Sequence, residues 1–190
     1  MARSSAADAA RTAQRILSEA VSLFNRHGYP AVSADDIARA AGVTRGAIYH
    51  HYGSKQGVLR AAVQAGHRRV SAAVVDSAEH LVDPRDQLRA GCHAFIDAIT
   101  TDEAARLILI DAPSELGWSE WLAFDADTSV RELRDAVRPF VSPEESEAVT
   151  RLLSGAMNEA ALWLMTQPAD EPRVSAVHAT LDKLIDALKH

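Results

Sequence analysis

The sequence predicts an all-α protein, and three observations lead to that fold class. Apolar residues recur at intervals of three and four almost everywhere along the 190 residues, as they do on one face of a helix. No segment of strand length shows the alternation of apolar and polar residues that a half-buried β-strand requires. With 47% hydrophobic and 24% charged residues, the composition suits one or two globular units and excludes a chain disordered throughout.

The first and fourth helices follow from their apolar faces. The first helix is expected to run for about five turns to His27, where Gly28 tolerates the conformation that ends a helix. Its apolar face consists of Ala13, Ile16, Leu17, Ala20, Val21 and Phe24. A long fourth helix begins after Gly53-Ser54, and its apolar face consists of Val58, Leu59, Ala62, Val63, Val70 and Val74.

Two short helices are expected between these long ones. Ser33 and Asp36 have the spacing of a capping box, which predicts a second helix that ends at Ala41. Thr44 caps a very short third helix that reaches about Tyr49. Two short helices around a glycine turn have the size of a helix-turn-helix unit, which lays its second helix in the major groove of DNA. The alternative interpretation is an ordinary corner between two packed helices, because short capped helices around a glycine turn also occur there.

Composition and charge favour the nucleic-acid interpretation. Residues 44–55 read TRGAIYHHYGSK, in which only Ile48 is a clear core anchor, so this stretch is too polar for a helix that serves only packing. The net charge of the chain is −6, but residues 1–70 hold ten Lys and Arg against four Asp and Glu, a net +6. The remainder carries −12. A basic front on an acidic body indicates that only the first third of the chain meets a polyanion.

Residues 28–59, GYPAVSADDIARAAGVTRGAIYHHYGSKQGVL, resemble the DNA-binding pattern of the tetracycline-repressor (TetR/AcrR) family of bacterial regulators. Tyr52 stands where phenylalanine is commoner, and Gln56 where glutamate is common. The rest of the chain is similar only in layout, with DAPSELGWSEW at 111–121 and a paired helical ending. The matching positions are Gly28-Tyr29, Ile37-Ala38, Ala41-Gly42-Val43, Gly46, Ile48-Tyr49, Tyr52 and Ser54-Lys55.

The resemblance implies a two-domain organisation. A three-helix helix-turn-helix DNA-binding domain, residues 1–53, is joined through the long fourth helix to a helical effector-binding and dimerisation domain, residues 54–190. The partners expected from it are a double-stranded DNA operator, a small-molecule effector and a second copy of the chain.

The resemblance also implies which residues meet DNA. Arg45, Gly46 and Ala47 match positions that face base edges, and the fork of Arg45 suits the two major-groove acceptors of guanine. Tyr49, His51 and Lys55 match positions that hold phosphates, which fix register rather than sequence. The predicted DNA-binding set is Ser33, Thr44, Arg45, Gly46, Ala47, Tyr49, His50, His51 and Lys55.

The last two predicted helices carry more apolar surface than one chain can cover. Apolar residues occupy most of the circumference of the helix at about Pro143–Thr166, and those of the final helix form a seam for another helix. The resembled family joins two such pairs into a four-helix bundle across a homodimer, whereas an intrachain pair buried in one subunit is the alternative. The predicted dimer interface is Leu152, Ala156, Trp163, Val174, Val177, Leu181, Leu184 and Leu188.

The middle of the chain concentrates its aromatic residues. Five of the ten lie at positions 95, 118, 121, 124 and 163, with a few polar residues near them. Such a cluster lines a mostly apolar ligand cavity or forms plain core. The predicted effector pocket is Cys92, His93, Phe95, Ile96, Leu107, Asp111, Trp118, Trp121, Met157 and Asn158.

Several other classes of protein are disfavoured. The single cysteine, Cys92, cannot form an internal disulfide, and no apolar run approaches the ~20 residues of a membrane span, so we expect a cytoplasmic protein without membrane contact. His50 and His51 diverge by about 100° on a helix and have no nearby ligand pattern, so no metal or other cofactor is expected. No Ser-His-Asp, HExxH or phosphate-loop spacing indicates an enzyme.

The function predicted from the sequence is that of a ligand-responsive transcriptional repressor that a small apolar effector releases from a palindromic operator. The alternatives are a helical adaptor that binds another protein through the aromatic cluster, and a small helical enzyme.

Overall fold

A computed structural model describes residues 6–101, 105–126, 129–166 and 171–188. These residues form ten α-helices joined by short 3₁₀ and π turns, with no strand among them, which confirms the all-α prediction. No helix in these ranges is both long enough and apolar enough to cross a bilayer. The helices are α1 Ala6–His27, α2 Ala34–Ala40, α3 Arg45–Tyr52, α4 Lys55–Ala78, α5 Pro84–Thr101, α6 Ala112–Leu116, α7 Trp118–Ala126, α8 Ser129–Val137, α9 Pro143–Met165 and α10 Glu171–Asp186.

The chain divides into two compact units. The first comprises Met1–Gly66 and Glu103–Trp121, and the second comprises His67–Asp102 and Leu122–His190. This division differs from the expected boundary after residue 53, because the first unit includes the N-terminal half of α4 and the later segment that ends at Trp121. The helix α4 therefore contributes residues to both units.

The core of the first unit joins α1, α2 and α3. Ile16, Phe24, Ile37 and Ile48 are fully buried there. The hydroxyl of Tyr52 donates a 2.7 Å hydrogen bond to the carbonyl of Ala13, so the end of α3 is tied to α1. The helix extends three residues beyond its expected end at Tyr49 and ends at Gly53, which has φ 73°.

Glycine is required at two corners of the first unit. Gly42, in the turn between α2 and α3, has φ 61°, a left-handed conformation that costs a residue with a Cβ atom. At Gly57, in the first turn of α4, a Cβ atom would lie 1.8 Å from the carbonyl oxygen of Tyr52. Because that oxygen belongs to the backbone, the close approach of α3 and α4 depends on the absence of a side chain at 57.

The second unit packs α5 against α8, α9 and α10. Its fully buried side chains include Leu88, Ile96 and Ile185. The helix α9 begins with a capping box between Ser142 and Glu145 that satisfies amides at its N-terminus.

Candidate nucleic-acid interface and ligand cavity

Side-chain caps fix the start of both short helices. The Ser33 hydroxyl accepts from the Asp36 amide at 3.1 Å, and the Ser33 amide donates to the Asp36 carboxylate at 3.0 Å, the predicted capping box. Hydrogen bonds from Ser33 and then from Arg39 lower the pKa of Asp36 to about 2. The Thr44 hydroxyl accepts from the Ala47 amide at 3.3 Å. The first turn of α3 is thereby fixed against the α2 to α3 turn.

Arg45 occupies the exposed side of that first turn. Its Nη2 donates to the Tyr49 hydroxyl at 3.0 Å, and its Nη1 lies 3.2 Å from Asp35 Oδ2. The Tyr49 hydrogen bond, and next the Asp35 charge, raise the pKa of Arg45, so its charge is permanent. Its side chain is 58% exposed. The guanidinium therefore lies at the surface with an aromatic neighbour beside it.

The other residues predicted on α3 divide between surface and core. Ile48 is fully buried and holds the helix to the unit, whereas Gly46 and His50 are exposed. Ala47 and His51 are half-buried. Among the residues that the structure describes, no group of three or more His, Cys, Asp or Glu side chains is placed to hold a metal ion.

Lys55 has a role that the sequence did not predict. Its ammonium donates to the carbonyls of Tyr29 at 3.0 Å and Val32 at 2.9 Å, and it lies 3.9 Å from the centroid of the Tyr29 ring. These contacts fasten the start of α4 to the connection between α1 and α2. Two of the three donors of the ammonium thus have protein acceptors, and the contact of Lys55 with a DNA phosphate stays a prediction.

Four residues expected in the effector pocket belong to the first unit. Asp111 is buried and accepts a hydrogen bond from the Tyr29 backbone; burial raises its pKa, with Arg106 opposing. Leu107 is fully buried, and the Trp121 indole donates to the Ile108 carbonyl at 2.7 Å. Trp118 is 62% exposed and stacks on Trp121. None of these four side chains is among the lining residues of the cavity in the second unit, and their role in a ligand pocket stays a prediction.

A cavity of about 480 Å³ lies within the second unit, among α4, α5, α8 and α9. Of the expected pocket residues, Cys92, Phe95 and Met157 line it. Its described lining consists of Val74, Val75, Ala78, Glu79, Gln87, Leu88, Gly91, Cys92, Phe95, Ser129, Glu132, Leu133, Asp135, Ala136, Ser154 and Met157.

The remaining expected pocket residues have other positions. Ile96 is fully buried in the core of the second unit. His93 Nε2 lies 2.9 Å from Asp182 Oδ1, and its ring stacks on that of His178 at 4.1 Å, so it joins α5 to α10. Asn158 is half-buried on α9 and is not among the lining residues. The assignment of these three to the pocket is wrong for this cavity.

Sequence reasoning also missed the acidic part of the lining. Glu79, Glu132 and Asp135 contribute carboxylates, and no Lys or Arg is among the lining residues that the structure describes. A usable signal was present on α8, where Ser129, Glu132 and Ala136 recur at helical spacing and share one face. Burial, and next the charge of Asp182, raise the pKa of the Cys92 thiol to about 12, so this cysteine is neutral.

An exposed apolar face runs along α9 and α10. Leu152 is 73% exposed, Trp163 47% and Leu184 45%. A shallow groove of about 260 Å³ beside them is lined by Ala156, Ala160, Trp163, Ala176, Val177, Thr180, Leu181 and Leu184.

Two of the expected interface residues need correction. Leu181 is only 4% exposed, so most of its side chain packs within its own chain. Leu188 lies beyond the end of α10 at Asp186 and does not extend the helical seam. Val174 and Val177 are half-buried on α10, and Ala156 is exposed on α9.

Comparison with known protein families agrees with this architecture. Residues 16–62 match the family described as bacterial regulatory proteins, tetR family. Residues 85–188, more than half of the chain, match the tetracyclin repressor-like C-terminal domain. The chain belongs to the TetR family.

Individual TetR-family proteins extend the comparison. The chain is 33% identical to the HTH-type transcriptional regulator AcrR of Shigella flexneri over 110 residues, 57% of this chain and 51% of AcrR. It is 51% identical to the uncharacterized HTH-type transcriptional regulator TtgW of Pseudomonas putida over 61 residues, 32% of this chain and 46% of TtgW. The chain thus spans about half the length of these curated relatives.

A solved structure covers nearly all of the chain. A TetR-family transcriptional regulator from Pectobacterium atrosepticum is 28% identical, covers 97% of both chains and superposes with a TM-score of 0.75. The matched TetR-family proteins are transcriptional regulators rather than enzymes.

Proposed function

We propose that this TetR-family chain is a ligand-responsive transcriptional repressor. It binds a palindromic operator in double-stranded DNA as a homodimer, in the cytoplasm, and leaves the operator when a small molecule enters the cavity of the second unit. The observation that carries this proposal is the orientation of α3. Ile48 anchors the helix in the core, while Arg45 and Gly46 lie at the surface of the basic part of the chain.

The exposed face of α3 has the chemistry needed for base reading. The guanidinium of Arg45 supplies a bidentate donor for guanine, and Gly46 adds no side chain that would separate the helix from base edges. Ala47 suits contact with a thymine methyl group. We assign phosphate contacts to the first amides of α3 with Thr44, and to Ser33, Tyr49, His50 and His51. We do not assign one to Lys55.

The apolar face of α9 and α10 supports the homodimer. Large exposed apolar side chains such as Leu152, Trp163 and Leu184 mark an interaction surface when they lie together. The alanines beside them let another helix approach closely. A second copy of the chain presents the same face, so a twofold axis through it buries both faces. Two α3 helices related by that axis would read the two halves of a palindrome.

The cavity supports the effector role. Its lining includes Val74, Val75 and Ala78 on the second half of α4, and the first half of that helix places Val58 and Leu59 in the core of the DNA-binding unit. An effector that prefers one position of α4 would therefore shift the DNA-binding unit as well. Release from DNA requires that the effector bind more tightly to the state of the protein that does not bind the operator. The coupling free energy between an effector site and a second binding site is typically 1–3 kcal/mol.

A mobility-shift assay with the DNA upstream of the chain's own gene tests the proposal. We expect a discrete complex that survives an excess of random DNA and contains two copies of the chain. Transcription from that promoter should rise when the gene is deleted. A fall in transcription would instead identify the protein as an activator. An adaptor that binds only proteins would give no complex beyond non-specific binding, and that result would refute the proposal.

A further inference from the structure

We propose that Asp35 is a specificity-determining residue that acts through Arg45 and directs its guanidinium to bases rather than to phosphates. The inference rests on the proposed function in taking α3 as the helix that meets DNA. It adds to that function a role for α2, which sets the kind of DNA acceptor that Arg45 binds.

Acidic residues are scarce in the basic part of the chain. Residues 1–70 contain four of them, Asp8, Glu19, Asp35 and Asp36, against ten Lys and Arg. Two of the four are adjacent in the first turn of α2, in the unit whose α3 we assign to DNA. A carboxylate at such a surface opposes the binding of a polyanion, so it lowers affinity for DNA unless another effect offsets it.

The two adjacent carboxylates make different contacts. Asp36 completes the capping box with Ser33 and accepts a hydrogen bond from Arg39 at 2.9 Å, so it serves α2 itself. Asp35 instead reaches the next helix, where its Oδ2 lies 3.2 Å from Nη1 of Arg45, ten positions further along the chain. Asp35 therefore acts on the side chain that we assign to base reading.

Asp35 and Tyr49 hold the guanidinium of Arg45 between two acceptors. The Tyr49 hydroxyl accepts from Nη2 at 3.0 Å, and Cζ of Arg45 lies 5.5 Å from the centroid of the Tyr49 ring. A guanidinium has five N–H donors, and these two contacts use one on each terminal nitrogen. Three donors remain for DNA, which is enough for the two major-groove acceptors of guanine.

The carboxylate of Asp35 affects charged and neutral acceptors differently. The side chains of Arg45 and Asp35 are 58% and 56% exposed, so their ion pair is weak and separates easily when DNA approaches. The carboxylate still lies on the neighbouring helix, beside the guanidinium. A phosphate that binds Arg45 would meet this second negative charge, whereas N7 and O6 of guanine are neutral acceptors. Asp35 therefore penalises phosphate more than guanine.

This difference turns a general DNA contact into a selective one. An exposed arginine on a DNA-binding helix ordinarily gains affinity from the phosphates of any sequence. With Asp35 beside it, Arg45 adds little to the binding of random DNA and keeps its contribution to an operator that presents guanine. Asp35 thus raises the ratio of operator affinity to random-DNA affinity.

Asp35→Asn tests the inference, because it removes the charge and keeps the shape of the side chain. The full chain first selects its operator from random duplex DNA, and fluorescence anisotropy then measures the affinities for operator and random DNA. Affinity for random DNA should rise roughly two- to fivefold, as expected for the interaction of exposed charges, and affinity for the operator should rise less. On random DNA the logarithmic salt slope should steepen by about one, because Arg45 then binds a phosphate.

Two controls show whether the effect passes through Arg45. Asp76→Asn makes the same change of charge at an exposed position in the second unit, and it should leave the affinity ratio unchanged. In a chain that already carries Arg45→Ala, Asp35→Asn should also leave the ratio unchanged, because no guanidinium remains for the carboxylate to direct.

The same measurements contain the results that would overturn the inference. A carboxylate that only stabilised the first turn of α2 through the helix dipole would lower the urea midpoint on substitution and leave the ratio unchanged. A ratio that does not fall in Asp35→Asn would therefore refute the role in specificity. A ratio that falls equally in the Arg45→Ala background would refute the action through Arg45.

Failure of this inference is separable from failure of the proposed function. A chain that selects an operator, but whose Asp35→Asn variant keeps the wild-type ratio, loses the inference and keeps its DNA-binding role. If the ratio falls as expected but deletion of the gene lowers transcription, the inference holds and repression is lost. A wild-type chain that selects no sequence loses both.

Discussion

Arg45 Nη2 donates a 3.0 Å hydrogen bond to the hydroxyl of Tyr49, one helical turn further along α3. The carboxylate of Asp35 lies 3.2 Å from the other terminal nitrogen of the same guanidinium. Both ends of this ion pair are more than half exposed, so the contact contributes little stability and is easily exchanged for a base. In the free protein the arginine fork is thus held at the surface by weak contacts.

Arg45→Ala should remove base preference. We expect a loss of roughly 1–3 kcal/mol on operator DNA, with little change on random DNA, because the guanidinium reads base edges. Fluorescence anisotropy on the two DNAs measures both affinities. Arg68→Ala, an exposed arginine on the part of α4 in the second unit, is the matched control. Equal losses on operator and random DNA would assign Arg45 to phosphate instead.

Gly46→Ala should separate folding from DNA binding. The nearest atom to a new Cβ is Thr44 Oγ1 at 3.7 Å, so the methyl group fits the free protein. Alanine should then raise the free energy of unfolding by about 0.5–1 kcal/mol through its helix propensity. On operator DNA the same methyl group would occupy the space of a base edge, and affinity should fall roughly tenfold. A more stable variant with undiminished affinity would show that Gly46 does not approach the bases.

Lys55→Met should lower the free energy of unfolding, as expected for a residue whose main contacts are within the protein rather than with DNA. Methionine keeps an apolar stem beside Tyr29 but removes the donors to two carbonyls, at a cost of about 1–3 kcal/mol. Urea denaturation should show the loss, and Lys183→Met, at an exposed position on α10, should not. If Lys55 instead binds phosphate, the urea midpoint will stay constant and the logarithmic salt slope of DNA binding will fall by about one.

Leu152→Glu combined with Leu184→Glu should give folded monomers. Both side chains are exposed on the single chain, so the charges are tolerated until a second copy covers them. Sedimentation should show half the wild-type mass, and operator affinity should fall because each monomer holds half a site. Val82→Glu, at a residue 94% exposed outside this face, is the control. A dimer of unchanged stability would place the interface elsewhere.

Local signals in the sequence predicted the DNA-binding unit well. The capping box at Ser33 and the Thr44 cap depend on residues three apart, and both form as expected. The end of α3 was placed three residues early, although Gly53, which has φ 73°, is a local stop. The hydrogen bond of Tyr52 to Ala13 could not be predicted from local signals, because it joins positions 39 apart. Only the packed fold brings these two residues together.

The ligand cavity was harder to predict, because proximity in sequence does not fix where side chains point. Trp118 and Trp121 cluster with Phe95 in composition, yet Trp121 belongs to the unit that contains Ile108. On α10, periodicity identified an apolar stripe but did not distinguish Leu181, which its own chain covers, from Leu184, which remains exposed. Which part of the protein covers a given apolar residue depends on the tertiary structure, and helical periodicity alone does not reveal it.

Selection of random duplex DNA by the full chain tests the central claim most directly, because it needs no knowledge of the operator or the effector. The account predicts enrichment of an inverted repeat whose half-sites lie about one helical turn, or a multiple of it, apart. Each half should contain a guanine whose enrichment disappears in Arg45→Ala. A selection that enriches no repeat, or one whose sequence is unchanged by Arg45→Ala, would contradict it.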